Sequence, residues 1–415
     1  MAGQKRLGEF LRIVILGNNV AGTSLAKALR DADANVDIDV YTEEVMPYYP
    51  RPRLIDYLEG KALEKDMPFY PLEWYKQNKI GLHLDLRAEK INRQAKQVLI
   101  GSKWESYDKL VLATGSTAFV PPILGLPKNN VFTLKTFEDA KRLKAKAARS
   151  DHVVVIGGGL LGLETARGIC TAFPNLTVTI LESGEHLLTR QLDHEGADIL
   201  QGWIEETGAK VMVRAETEEV IGQGHDAEGV QLKDGRKVAG DMIVISVGTR
   251  PNMALAKDAG LRINKGVVID QSIRTSDPDI YALGDVAEFN GQVWAMIPPA
   301  LDEARIAAKK LLGQPGPDYQ GTIPANTLKV VGFDLTSIGM VRPLHDPPEA
   351  GVEEIRAIST DRRVYKKFVI KEGKMIGAIL LGTKKEIVKV SKMIREGEPV
   401  DPVKSRLWDP SFTFS

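Results

Sequence analysis

The stretch HVVVIGGGLLGLETARGI, residues 152–169, decides the fold. An apolar β-branched run leads into three glycines, Gly157, Gly159 and Gly162, and an apolar-periodic segment follows at once. Strand, turn and helix in that order match the dinucleotide pattern G-x-G-x-x-G. Its first glycine makes the tight turn, its second lets backbone approach a pyrophosphate, and its third seats the helix on the strand. Leu160 and Leu161, between the second and third glycines, belong to the same turn.

The plan occurs a second time, 140 residues earlier. RIVIL (12–16) runs into LGNNVAGTSLAKAL (16–29), where Gly17 and Gly22 hold the outer glycine positions, Ala21 precedes the last of them, and Asn19 stands where the middle glycine belongs. Asparagine is the non-glycine residue most tolerant of positive φ. Asn19 is therefore expected to take the left-handed turn and to turn its amide toward a phosphate oxygen. Both units also end a second strand on an acid: Glu43 lies 26 residues beyond Gly17, and Glu182 lies 25 beyond Gly157. A carboxylate there accepts ribose hydroxyls. Further on, KLVLATGS (109–116), containing Ala113, Thr114 and Gly115, pairs in plan with MIVISVGTR (242–250), containing Gly248. One glycine turn alone is weak evidence, whereas four coordinated features repeated in order predict two nucleotide-binding domains on doubly wound parallel sheets.

A chain of 415 residues and 45.6 kDa allows roughly three domains of about 150 residues each. The opening MAGQKRLGEFLRIVIL lacks a signal-peptide apolar run, and no 18-residue apolar span occurs, so a cytoplasmic protein without a membrane span is expected. A single cysteine, Cys170, excludes an intramolecular disulfide and a cysteine-rich metal site. No metal is expected. Its place after apolar Ile169, at the end of the second turn helix, reads as a small buried hydrophobe.

Lys plus Arg equals Asp plus Glu at 55 each, but between Arg356 and Arg395 twelve basic residues face three acidic ones. Such a surplus suits docking of an acidic protein; aromatics do not interleave with it, which weighs against nucleic acid. TSDPDIYALGDVAEF (275–289) is an extended run ending in Gly284 and Asp285. IPPALDEARIAAKKLLG (297–313) follows as a helix, with proline at its start and glycine after its end. A Pro/Gly linker, GQPGPDYQGTIPANT, leads to alternating antiparallel strands and a closing helix near 383–396.

With these residues in hand, the chain resembles the FAD-dependent pyridine nucleotide oxidoreductases from about Arg12 to about Gly382, and within them the NADH:rubredoxin reductases and the flavin domain of NADH-dependent nitrite reductases. PYYPRPRL (47–54), LATGS (112–116), LLTRQLDHEGADIL (187–200), TSDPDIYALGDV and YQGTIPANTLKVVGFDLTSIG (319–339) carry the resemblance. It implies a discontinuous FAD domain (1–116 and 251–322), an NAD domain (117–250) and a C-terminal α+β domain (323–415).

By the same resemblance Gly17, Asn19, Ala21 and Gly22 meet the FAD pyrophosphate, Glu43 the ribose, and Ala88 the adenine. Arg51 and Pro52 match the family's arginine-proline pair. Ala113, Thr114 and Gly115 close over FAD, Gly284 and Asp285 meet the ribityl chain, and the helix at Ile297 faces the flavin pyrimidine. Trp294 and Met296 read as core packing beside it. Gly157, Gly159, Leu160, Leu161, Gly162, Glu182 and Gly248 would hold NAD, with Glu182 repelling the 2′-phosphate of NADPH. Glu164 is expected to orient the nicotinamide carboxamide while hydride passes to flavin N5.

The redox cysteines of the disulfide-reducing members are missing, since residues 43–60 contain none. Their C-terminal His-Glu pair is missing too; His345 reads as a loop residue. Ile55 and Asp56 stand where many ferredoxin-reductase relatives carry Ser-Lys. The expected activity is NADH-driven reduction, through FAD, of an acidic carrier such as rubredoxin or ferredoxin, in a monomer or homodimer. An NADH oxidase and a slow flavin sensor akin to apoptosis-inducing factor are the alternatives.

Overall fold

A computed structural model describes residues 10–322, 325–330, 332–341 and 351–414. His345 lies outside the described residues. The chain divides into two compact units: Met1–Arg53, Ala62–Thr117 and Thr249–Thr322 form one, and Leu54–Lys61, Ala118–Gly248 and Ile323–Ser415 the other.

In the first unit a parallel sheet runs in the order Ile280–Ala282, Lys109–Leu112, Arg12–Leu16, Asp37–Tyr41, Ile80–His83. Its central strand is sealed on both faces, with Ile13, Val14 and Ile15 fully buried, which is why RIVIL reads as an unbroken apolar run and not as an alternation. The helix Val20–Ala32 lays Ala21, Leu25, Ala26 and Leu29 inward at helical spacing. Against it packs the helix Ile297–Leu311, whose buried Ala300, Ala304, Ala307 and Ala308 allow close approach. That helix ends short of Gly313, which takes a left-handed φ of 66°. The linker beyond it is anchored, not loose: Tyr319 is buried against Phe289, with ring centroids 4.8 Å apart.

The second unit repeats the sheet plan in the order Lys210–Met212, Thr177–Leu181, His152–Ile156, Met242–Ile245, Val131–Phe132. Register is shared as well as order: Leu16 faces Tyr41 in the first unit as Ile156 faces Leu181 in the second. The short helix Arg53–Leu58 packs here, since Gly168 leaves room on the helix Leu160–Ala172 for Ile55 and Leu58. Residues 54–61 therefore belong with the nucleotide turn at Gly157, not with the unit that precedes them in sequence.

The C-terminal part is an antiparallel sheet in the order Ala325–Val330, Phe333–Gly339, Lys374–Leu381, Tyr365–Lys371, Val352–Ile358. The helix Ile387–Glu396 covers it, ending at Gly397 in the left-handed region. Phe368, Leu380, Val390, Met393 and Leu407 form its core.

Candidate cofactor sites

The first turn is strained where glycine relieves it. Gly17 sits at φ +112°, and a Cβ there would lie 2.1 Å from the Ala113 carbonyl oxygen. One on Gly22 would lie 2.0 Å from the Gly17 oxygen. Asn19 does not take the left-handed turn expected of it: its φ is −92° and ψ −169°, an extended N-cap whose side chain caps nothing. The positive φ falls on Gly17 alone. Gly159 is extended in the same way, and a Cβ on it would meet no atom within 4 Å. The middle position therefore makes no demand on the backbone, and Asn19 imposes no strain.

The neighbouring Asn18, unremarkable in the sequence, is the buried one, at 5% exposure. Its Oδ1 accepts from the Thr23 hydroxyl at 2.9 Å and from the Tyr75 hydroxyl at 3.1 Å, while its Nδ2 is buried without a partner. An orphaned buried donor costs free energy unless something fills the bond. At the N-terminus of the helix Val20–Ala32, a phosphate oxygen would fill it. The residues present thus fit a dinucleotide.

Around the first turn the remaining candidates divide. Thr114 and Gly115 are locked by Asn252, whose amide donates to the Thr114 oxygen at 2.8 Å and whose backbone N–H donates to the Gly115 oxygen at 2.9 Å. No sequence signal marks Asn252, since the turn it holds lies 137 residues upstream. Ser116 donates to Asp285 at 2.7 Å. Gly284, at φ +76°, accommodates Ala21: a Cβ on it would stand 2.8 Å from the Ala21 methyl. Ile297 opens its helix half-exposed, with Met296 as N-cap, and Trp294 offers a second buried orphan donor at Nε1.

Arg51 is partly buried, its guanidinium bonded to Glu44 and to the Tyr49 hydroxyl. Pro52 is exposed beside it. Ala88 begins the strand Ala88–Asn92 opposite Ile100. Glu43 is not the counterpart of Glu182, as the shared register pairs Thr42 with that position. Glu43 lies one residue further, exposed, with Arg87 3.8 Å away.

The second turn is a close copy of the first. Gly157 has φ +117°, and a Cβ on Gly162 would stand 2.1 Å from the Gly157 oxygen. Leu160 begins the helix, Leu161 is partly exposed, and Gly248, at φ +115°, has open space around it. Glu182 accepts from the Gly158 N–H at 2.8 Å and the Gly184 N–H at 2.6 Å, which fixes its carboxylate at the turn. Glu164 meets an acidic surround. Burial raises its carboxyl to about 7; Arg167 opposes this, and Glu59 and Asp56 add to it. Glu59, its side chain fully buried, lies 2.5 Å from Arg167 Nη1 and 2.5 Å from Lys61 Nζ. Asp56 thus strengthens the acidic side.

Two further expectations need correction. The basic surplus between Arg356 and Arg395 is largely neutralised within the fold. Lys366 and Lys367 are buried at 3% and 2% exposure, the first bonded to Glu386 and the Phe412 oxygen, the second to Asp193 and Glu354. Arg363, Lys384, Lys389 and Lys392 meet Glu206, Asp334, Glu398 and Glu396, acids drawn from outside the basic window. Cys170 is half-buried, with burial holding its thiol up at about 11.

Residues 11–307 match the pyridine nucleotide-disulphide oxidoreductase family, and residues 324–398 match the C-terminal domain of rubredoxin NAD+ reductase. The chain belongs to the pyridine nucleotide-disulphide oxidoreductases. Members of this family bind FAD and NAD(H). It is 32% identical over 319 residues to a nitric oxide reductase FlRd-NAD(+) reductase of Vibrio vulnificus, covering 77% of this chain and 82% of that one. It is 30% identical over 387 residues to a nitrite reductase [NAD(P)H] of Bacillus subtilis, covering 93% of this chain but only 47% of that protein. Among solved structures, the NADH:rubredoxin oxidoreductase of Clostridium acetobutylicum superposes with a TM-score of 0.77 at 27% identity, over 95% of this chain and 97% of that one. An intramolecular disulfide needs two thiols, and this chain has one cysteine. Among its described residues no helix is long and apolar enough to cross a membrane.

Proposed function

We propose that the chain is an NADH-dependent FAD reductase that feeds electrons to a small carrier protein. The observation that carries this reading is the matched pair of glycine turns in a chain whose one thiol is held protonated. FAD, when bound, takes two electrons from NADH together and passes them on singly.

The first unit holds FAD. Gly17, Ala21 and Gly22 keep the turn tight, while Asn18, Asn19, Arg51 and Pro52 surround the pyrophosphate. Glu43 meets the ribose from the exposed edge, and Ala88 offers backbone to adenine. Ala113, Thr114 and Gly115 form the covering turn that Asn252 locks. Gly284 and Asp285 face the ribityl chain. The positive end of the helix at Ile297 favours negative charge on the pyrimidine ring.

Gly157, Gly159, Leu160, Leu161, Gly162 and Gly248 hold NADH in the second unit. Glu182 accepts ribose hydroxyls and repels a 2′-phosphate, which favours NADH over NADPH. Glu164, able near neutral pH to donate or to accept a hydrogen bond, grips the nicotinamide carboxamide.

The purified chain should be yellow, bleach on NADH addition, and reduce rubredoxin or ferredoxin faster than it reduces oxygen. Failure of NADH to bleach the flavin overturns the reading. The carrier is acidic and meets Lys384 and Lys385, an adjacent lysine pair of the 356–395 segment that stays exposed, although Lys384 also reaches Asp334. Changing both to Glu should slow carrier reduction and spare ferricyanide reduction. Equal loss in the two assays removes charge-guided docking.

A further inference from the structure

Glu303 is a carboxyl that none of the roles above uses. It lies on the helix Ile297–Leu311 at 3% exposure, and its Oε2 accepts the Gly284 N–H at 2.7 Å. It therefore pins the backbone of the turn whose next residue is Asp285. Beside its carboxyl stands Tyr319, itself 1% exposed. From there a chain of polar atoms reaches the surface: the Tyr319 hydroxyl lies 3.1 Å from Thr322 Oγ1, and that oxygen lies 3.4 Å from Asp302 Oδ2.

Among the described residues, the groups that act on Glu303 include no cation. Asp285 comes from the turn, Asp302 from the same helix and Tyr319 from the linker, while the helix Val20–Ala32 contributes an apolar face of Ala21, Leu25, Ala26 and Leu29. A buried carboxylate beside a second carboxylate, with only one N–H and a neutral hydroxyl as donors, is better off neutral. We propose that Glu303 is a positioning residue of the FAD site that holds the Gly284–Asp285 turn by accepting the Gly284 N–H, stands neutral beside Asp285, and, when it charges, releases its proton to solvent through Tyr319, Thr322 and Asp302 and sets a second negative charge against the turn. This rests on the reading that Asp285 meets FAD.

The donor chain is consistent in direction. Protonated Glu303 donates to the Tyr319 hydroxyl, which donates to Thr322, which donates to Asp302. Loss of the proton reverses the order of donors and leaves two carboxylates side by side at the turn. Burial raises the Glu303 carboxyl to about 8, with Asp285 and Asp302 adding to the rise, so the change falls just above neutrality.

Two measurements test this. In the apoprotein, the infrared carbonyl band of a buried protonated carboxyl should titrate with a midpoint near pH 8 and be absent from Glu303→Gln. In Tyr319→Phe the midpoint should rise, because the hydroxyl bond favours the charged form. FAD affinity, read by flavin fluorescence, should fall about tenfold between pH 7 and pH 9 in wild type and stay level in Glu303→Gln. An alkaline loss that survives in Glu303→Gln, or a band that persists in it, overturns the proposal. Asp285→Asn separates the two ideas: undiminished FAD affinity at pH 7 in that variant removes the Asp285 reading, whatever the Glu303 band does.

Discussion

At the scale of single residues, the pocket is built by side chains whose importance is invisible until the chain folds. Asn18 and Asn19 are adjacent and identical, yet one is buried with a donor to spare and the other is an unstrained cap. Asn19 is the one that occupies the motif position. What burial decides is the partner on a distant helix, Tyr75, and no motif encodes that. Asn18→Asp keeps the oxygen that Thr23 and Tyr75 need and replaces the free donor with a negative charge. FAD affinity should drop on the order of a hundredfold, about 3 kcal/mol, in fluorescence titration. Unchanged affinity would show that the orphan donor faces no phosphate. Glu182 was legible, because strand length and register place it; Glu43 missed the equivalent position by one residue, as the first unit puts Thr42 there.

Elements were easier to read than residues, since periodicity and glycine spacing report backbone needs directly. The two glycine turns differ in what they require at each position, and substitution separates those requirements. Gly22→Ala forces a methyl onto the Gly17 oxygen and should lower apoprotein stability by about 1–3 kcal/mol in denaturant titration. Gly159→Ala should change it by less than about 0.5 kcal/mol, as nothing lies near that Cβ.

The short helix Arg53–Leu58 escaped assignment to its unit because its partner is a bare glycine, Gly168, which leaves no hydrophobic signature. Docked there, it sets Asp56 and Glu59 against Glu164. A carboxyl raised by folding from 4.5 to about 7 holds its proton more tightly folded than unfolded. Its contribution is complete below pH 4.5 and is lost as pH climbs to 7. Glu164→Gln should flatten the decline of stability across that interval; an unaltered slope would mean that another group produces it.

For the whole molecule, charge counting misled where fold class did not. Strand–turn–helix order, repeated, gave the parallel sheets because each local choice agrees with that architecture. The lysine-rich C-terminal segment looked like a docking face because sequence shows a charge but not the acid it meets after folding. Lys367 is the clearest case, 2.9 Å from Glu354 and 3.1 Å from Asp193, the N-cap of the helix His194–Glu206. Lys367→Met leaves two acids short of a partner and should cost about 3–5 kcal/mol, measured by chemical unfolding. A loss under 1 kcal/mol would mean that Arg356, 3.7 Å from Asp193, takes over. Asp193 gives the opposite pH sense to Glu164. Burial would raise its carboxyl, but the Tyr365 hydroxyl, Lys367 and the Gly196 N–H outweigh that and hold it below the usual range. Its share of stability is present above the ordinary aspartate range and disappears on acidification through its lowered folded value.

The empty space above Gly159, with the unstrained Asn19 at the matching place in the twin turn, has an evolutionary reading. Where the polypeptide itself asks for nothing, a mutation is screened by the bound molecule alone. These two sites are therefore cheap places for drift or directed selection to retune which coenzyme each half of the enzyme prefers, without spending thermal robustness to do so.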